Sequence, residues 1–404
     1  MAADDRGAPS DLGEVSQRDQ LGEHLIGLRR RLHRIPEVGL DLPLTQQALR
    51  EELADLPLEI SFGATLSSIT AVLRGGRPGP TVLLRADMDG LPMRELAPVA
   101  FASDNGAMHA CGHDLHMSAL VGALRLLVER RDRLAGTVVA MFQPGEEGHG
   151  GAEAMLREGV LAASGEQPVA SYGIHVFSFL DSGVFACRGG VVMGAILNLE
   201  LRFHGLGGHA ARPETARNPI LVAALAVQAI QSLVTQTTAP GDPVVATVGA
   251  FHAGDAPNVI PDAAILRLSI RGVTAQRVAE VESRIGELAR SIAAGYGVTV
   301  GALPGARFPA TRSDPAESER VRGVVTELFG AERFRELTHP EMIAEDFSHV
   351  LDATGGAFVF VGARGDVTDP ATNHSPRAQF DDSVVLDAAR MLAAVAERRR
   401  ADQG

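Results

Sequence analysis

The sequence predicts an α/β protein whose main sheet is interrupted by a smaller unit of antiparallel strands and two helices. Short apolar runs at 81–86, 137–142 and 171–176 alternate with helical stretches, the pattern of parallel strands joined by helices. After Gly189-Gly190 the pattern switches to strict alternation: Leu197, Leu199, Leu201 and Phe203 are apolar, whereas Asn198, Glu200, Arg202 and His204 are polar. That is the mark of a sheet with one solvated face. With 404 residues, the chain also exceeds the length at which one core usually stops growing.

Taken in order, residues 21–33 place Leu25, Leu28 and Leu32 on one helical face, and Pro36 ends that helix. The buried strand at 81–86 leads into the turn Asp87-Met88-Asp89-Gly90-Leu91-Pro92. A helix is expected at 115–127, and further strands at 137–142 and 171–176. Within the insert, helices are expected at 219–233 and 275–294, the second capped by Thr274. Leu266, Leu268 and Ile270 alternate with Arg267, Ser269 and Arg271 as a second one-sided strand. The polar stretch 307–314 reads as a return linker. Then α/β character resumes with a buried strand at 356–361 and a closing helix at 383–398. The expected domains are therefore 18–189 and 304–404 for the main unit and 190–303 for the insert, with 1–17 as a disordered arm.

Composition narrows the function. A formal charge of -13 and 4% aromatic residues argue against nucleic acid, which would be repelled and would find few stacking partners. No run of about 18 apolar residues is seen, so no membrane span is expected. Cys111 and Cys187 are too few for a disulfide framework, and the acidic, polar N-terminus lacks a signal-peptide pattern; cytoplasm is the expected compartment. All 37 basic residues are Arg. Without Lys, neither a Schiff base nor a Walker-type phosphate loop is available. Gly205-Leu206-Gly207-Gly208-His209-Ala210 approximates a dinucleotide fingerprint, but Pro213 falls where its helix should already run.

The chemistry concentrates in Cys111-Gly112-His113-Asp114, with His109 and His116 nearby, and in Glu146-Glu147. A single Cys is usually a core residue, yet so many ligand-type groups in eight residues are hard to attribute to packing. A thiol-type Cys-His hydrolase stays open from this segment alone. The adjacent glutamates would ordinarily be a solvated pair, but they follow an apolar strand. In an extended segment one carboxylate could bind metal while the other faces a water. Asp87, Glu146, Glu147 and His175 cluster where predicted strands end, at the sheet edge where α/β proteins bind ligands. His374 is a lone loop histidine.

Several motifs together resemble one group: Arg30-Arg31-Leu32-His33 with Pro36-Glu37, Arg85-Ala86-Asp87-Met88-Asp89, His109-Ala110-Cys111-Gly112-His113-Asp114, Phe142-Gln143-Pro144-Gly145-Glu146-Glu147, Gly207-Gly208-His209-Ala210-Ala211, and Ala256-Pro257-Asn258-Val259-Ile260-Pro261-Asp262. This is the amidohydrolase branch of the aminoacylase and carboxypeptidase metallopeptidases, which includes hippurate and auxin-conjugate hydrolases. The resemblance runs from Arg30 to Asp382. It implies a phosphorylase/hydrolase-like mixed-sheet catalytic domain interrupted by a ferredoxin-like lid. It also implies two divalent ions on Cys111, His113, Glu147, His175 and His374, with Cys111 as the bridge; a thiolate favours softer ions such as Zn²⁺, whereas carboxylate and imidazole also admit Mn²⁺, Co²⁺ or Ni²⁺. Glu146 takes the general-base position and Asp87 the position that orients the site. His209 and Asn258 would hold the scissile carbonyl oxygen, and Arg271 would meet a substrate carboxylate. The implied substrate is an N-acyl amino acid or related small amide; the oligomeric state stays open, with the exposed sheet edge of the lid as the candidate surface for a homodimer. Ala378, Glu214, Leu115 and Met117 depart from the usual residues and bear on the substrate pocket. A dipeptidase or carboxypeptidase, or an inactive small-molecule-binding homologue, are the competing readings.

Overall fold

The computed structural model describes residues 11–239, 241–365 and 371–401. The chain divides into two compact units, one formed by Met1–Gly190, Ser313–Leu337 and Val350–Gly404, the other by Val191–Arg312 and Thr338–His349.

The first unit is built on an eight-stranded mixed sheet. Its centre is parallel: Arg77–Asp87 lies between Ala135–Gln143 and Ala170–Phe177, which in turn pairs with Gly356–Gly362. Every residue of Ala170–Phe177 is buried, so both of its faces are covered, as parallel strands require. The sheet is not parallel throughout, as the alternation of strands and helices suggested. Glu59–Phe62 and Ile69–Arg74 form an antiparallel pair that adds to one edge, because their connection is too short for a crossover. The helices His113–Glu129 and Val384–Ala401 pack on each other and on Arg77–Asp87.

The first helix runs from Asp11 to His33, ten residues longer at its start than the apolar face alone marks. No proline interrupts it. Of the arm expected at 1–17, residues 1–10 lie outside the described residues and 11–17 are helical.

The second unit holds a four-stranded antiparallel sheet in the order Val244–His252, Ala263–Gly272, Ala195–His204, Thr299–Phe308. The alternation read in the sequence appears as burial: Leu197, Leu199, Leu201 and Phe203 join a separate core with Val222, Ile230, Val281 and Ile285 of the two helices. Asn218 Oδ1 accepts the Ile220 N–H at 3.0 Å and Thr274 Oγ1 accepts the Arg277 N–H at 3.1 Å, capping both helices. Within the expected linker 307–314, residues 307, 308 and 311–313 are strand. A bulge after Pro304 lets Arg307 pair with Leu197, so the edge strand runs on to Phe308. Among the described residues one helix, Pro219–Thr237, is long and apolar enough by composition to cross a bilayer; the sequence marks 219–233 as a helix of the insert and not as a membrane span. Its Val222, Ala223, Ala226 and Ile230 are buried in this unit's core.

Candidate metal centre

The ends of the parallel strands set the site. Asp87 closes its strand, Glu146 and Glu147 follow Ala135–Gln143, and His175 sits near the end of Ala170–Phe177. Cys111 and His113 arrive from the other direction, at the start of the helix His113–Glu129. Gly112 makes that approach possible: its φ is 85°, and a Cβ there would come within 2.3 Å of Val176 Cγ2. His374 arrives on a loop from the far end of the chain.

The five side chains expected as ligands converge. Cys111 Sγ lies 3.3 Å from His175 Nε2 and 3.2 Å from His374 Nε2. Glu147 Oε1 is 3.1 Å from His374 Nε2 and 3.9 Å from His113 Nε2. Cys111 is shared by two groupings, one with His113 and His175 and one with Glu147 and His374. Glu146 is buried and within reach of His113 and Glu147.

The glutamates are not presented from an extended strand end, as the sequence reading supposed. They occupy a turn after Gly145, whose φ is 72°. The buried Asp89 carboxylate accepts the N–H of Glu146 at 3.0 Å and of Glu147 at 3.1 Å, one on each oxygen. Asp89 had no assigned role, although it follows Asp87 by two residues. His116 was noted in the cluster without a role and now has one. The Val176 N–H donates to His116 Nε2 at 2.8 Å, so the ring carries its proton on Nδ1 and donates it to Asp87 Oδ1 at 2.6 Å. Arg85 holds the other Asp87 oxygen at 2.7 Å. His175 Nδ1 donates to the Val176 carbonyl at 2.8 Å, which leaves Nε2 with its lone pair toward Cys111.

The electrostatics call for cations. Burial pushes the Cys111 thiol well above its ordinary value, and the Glu147, Glu146 and Asp87 carboxylates push it further. Burial alone would lower His113, yet Asp87, Asp89 and Glu147 raise it to about 10. Asp87 is held well below the carboxylate range against its burial by Arg85, His113 and His116. His175 is driven down by burial and then by His116, so its ring is neutral. Both His113 nitrogens and Glu147 Oε1 are buried without a directed hydrogen bond. A thiol, three imidazoles and a carboxylate with unsatisfied buried atoms fit divalent ions of the Zn²⁺ or Mn²⁺ type.

His109 is not part of this convergence. It is buried, its ring nitrogens have no partner, and burial pushes it down to about 3. Asp114 turns away as well, to His33 Nδ1 at 2.7 Å and Arg29 Nε at 2.8 Å, anchoring the helix start to the first helix. Leu115, Met117 and Ala378 are core residues.

The remaining expected residues belong to the second unit. Gly208–His209 pairs with Val259–Ile260, and Ala210 N–H donates to the Asn258 carbonyl, so the exposed His209 and Asn258 are neighbours across two short strands from distant parts of the chain. His209 Nδ1 accepts the Ala211 N–H at 3.0 Å, which leaves its proton on Nε2 as a donor. Arg271 is half-buried and donates from Nη1 to the Met342 carbonyl at 2.8 Å. Glu214 is exposed beside Arg212.

Comparison with known proteins accords with this chemistry. The model of peptidase family M20/M25/M40 matches residues 83–398. The chain is 33% identical over 396 residues to IAA-amino acid hydrolase ILR1-like 5 of Arabidopsis thaliana, covering 96% of this chain and 90% of the relative. It is 33% identical over 383 residues to thermostable carboxypeptidase 2 of Saccharolobus solfataricus, covering 93% and 95%. It is 30% identical over 380 residues to N-acetyl-L-cysteine deacetylase of Bacillus subtilis, covering 94% and 88%. Among solved structures, the YXEP protein of Bacillus subtilis, described as a dinuclear metal-binding peptidase from the M20 family, superposes with a TM-score of 0.79 at 27% identity, over 95% of this chain and 99% of that one. The chain therefore belongs to peptidase family M20/M25/M40 and is a metal-dependent amidohydrolase of that family.

Proposed function

We propose that this enzyme hydrolyses the amide bond of N-acyl amino acids or related small amides, with two divalent ions held by Cys111, His113, Glu147, His175 and His374 and with Glu146 as general base. The observation that carries the reading is the convergence of those five side chains around Cys111, with the buried Glu146 carboxylate beside them. Bound divalent ions would supply a water of lowered pKa and a Lewis acid for the amide carbonyl. Glu146 takes the proton of the attacking water and returns it to the departing amine. Asp87, tied to Arg85 and His116, orients His113. The second unit serves as the lid: His209, protonated on Nε2, and Asn258 hold the carbonyl oxygen, and Arg271 meets the substrate carboxylate. Relatives that act on IAA-amino acids and on N-acetyl-L-cysteine support the substrate class.

A homodimer through the second unit belongs to this reading. It is supported by the open edges of Val244–His252 and Thr299–Phe308 and by exposed Leu221 and Leu225 on one helix. Both cysteines are free and buried, in keeping with a reducing compartment such as cytoplasm. The carboxypeptidase relative favours peptide cleavage as a second reading. A panel of N-acetyl, N-benzoyl and dipeptide substrates separates the two. For the general base, Glu146→Ala should lower turnover by about 10²- to 10⁴-fold while the purified protein keeps its metal content. Hydrolysis at the parent rate would overturn the assignment.

A further inference from the structure

His374 is the only non-glycine residue with positive φ among the described residues, at 67°. A side chain rarely takes this left-handed conformation unless its surroundings impose it. Its own N–H donates to the Ala110 carbonyl at 2.9 Å. The other constraint comes from the residue before it. Asn373 Oδ1 accepts the Ser178 N–H at 3.1 Å, which fixes the orientation of the amide. Nδ2 then donates to the Val176 carbonyl at 2.9 Å and reaches the Cys111 carbonyl at 3.4 Å. The same Val176 carbonyl takes the Nδ1–H of His175. One amide thus touches the backbone of Cys111, shares an acceptor with His175 and directly precedes His374.

We infer that Asn373 is a positioning residue for the metal-binding side chains, holding the His374 backbone in its left-handed conformation while locking the Cys111 loop to the strand end that carries His175. This rests on the reading of those three residues as ligands. Outer partners of metal ligands fix ring orientation and backbone placement, and their loss typically weakens metal binding about 10- to 100-fold. Asn373 does this for three ligands that lie far apart in sequence.

The test compares the parent with Asn373→Ala and with the nearly isosteric Asn373→Asp, which keeps an acceptor for Ser178 and loses both donors. Arg377→Ala on the same loop is the control. Zn²⁺ affinity is read by chelator competition, ligand arrangement by the visible absorption of the Co²⁺-loaded protein, and folding by the melting temperature in chelator. Both Asn373 variants should bind Zn²⁺ about 10- to 100-fold more weakly with altered Co²⁺ absorption, and Arg377→Ala should match the parent. Parent affinity and an unchanged spectrum in the Asn373 variants would overturn the positioning role alone, as would full rescue by Asn373→Asp. A parent protein that takes up no divalent ion would overturn the metal reading and this role with it.

Discussion

The candidate ligands of the first unit and the candidate carbonyl-binding pair of the second sit in opposite surroundings. In the first, Asp87, His113, His116 and Cys111 are buried, and each is held by neighbours from other segments of the chain. In the second, His209 and Asn258 stand exposed on a two-residue pairing, held by main-chain contacts. Burial makes charge expensive unless it is paired, so the first group is at once a chemical device and a structural commitment. The exposed pair carries no such cost and can be tuned with little effect on folding.

Substitution of Asp87 should show the largest effect. Asp87→Ala leaves the fully buried Arg85 without its carboxylate and His116 without its acceptor. Losing one partner of a buried charge pair costs about 3–5 kcal/mol, a shift readable by urea unfolding of the metal-free protein. A loss below about 1 kcal/mol would place this cluster with ordinary surface pairs and dissolve the contrast.

His209→Ala should behave in the reverse way. Unfolding should move by no more than about 0.5 kcal/mol, while kcat/KM falls by about 10²- to 10³-fold if the ring holds the carbonyl oxygen. Equal activity with equal stability would remove His209 from the catalytic scheme. A large stability loss would show that this short strand pairing is more tightly coupled to its core than its contacts suggest.

A third expectation is a pH dependence confined to the buried cluster. His113 is raised to about 10 in the metal-free fold, above the value of about 6.5 for a free side chain. The folded state therefore keeps a proton that the unfolded chain releases. The resulting stability is complete below about pH 6.5 and fades as pH rises through about 10. The raised Cys111 thiol adds loss in the same direction at the alkaline end. Urea midpoints of metal-free protein should thus decline between pH 7 and 10, and His113→Gln should flatten the decline. Metal loading should do the same, because a bound cation replaces the proton.

Much of the site was legible before folding was considered. Cys111 and His113 are close in sequence, Glu146 adjoins Glu147, and strand ends mark where such groups collect. His175 and His374 are individually ordinary in sequence, and only the family resemblance makes them candidate ligands. Asp89, His116 and Asn373 were less accessible. An i, i+3 spacing puts His113 and His116 on one helix face, a usable signal for His116. Asn373 has no such signal, because its three partners come from segments around 111, 176 and 178.

The sequence by itself determined the two kinds of sheet, since apolar runs and strict alternation report directly on whether one or both faces of a strand are covered. It also determined the ligand chemistry, because the inventory of thiol, imidazole and carboxylate side chains, and the absence of Lys, are properties of composition. Only the tertiary structure decided that the glutamates sit in a turn clamped by Asp89, which ring nitrogen of His116 and His175 carries the proton, and that His374 takes a left-handed backbone. Those outcomes depend on directed hydrogen bonds between distant segments, and such bonds have no periodicity for a linear reading to detect.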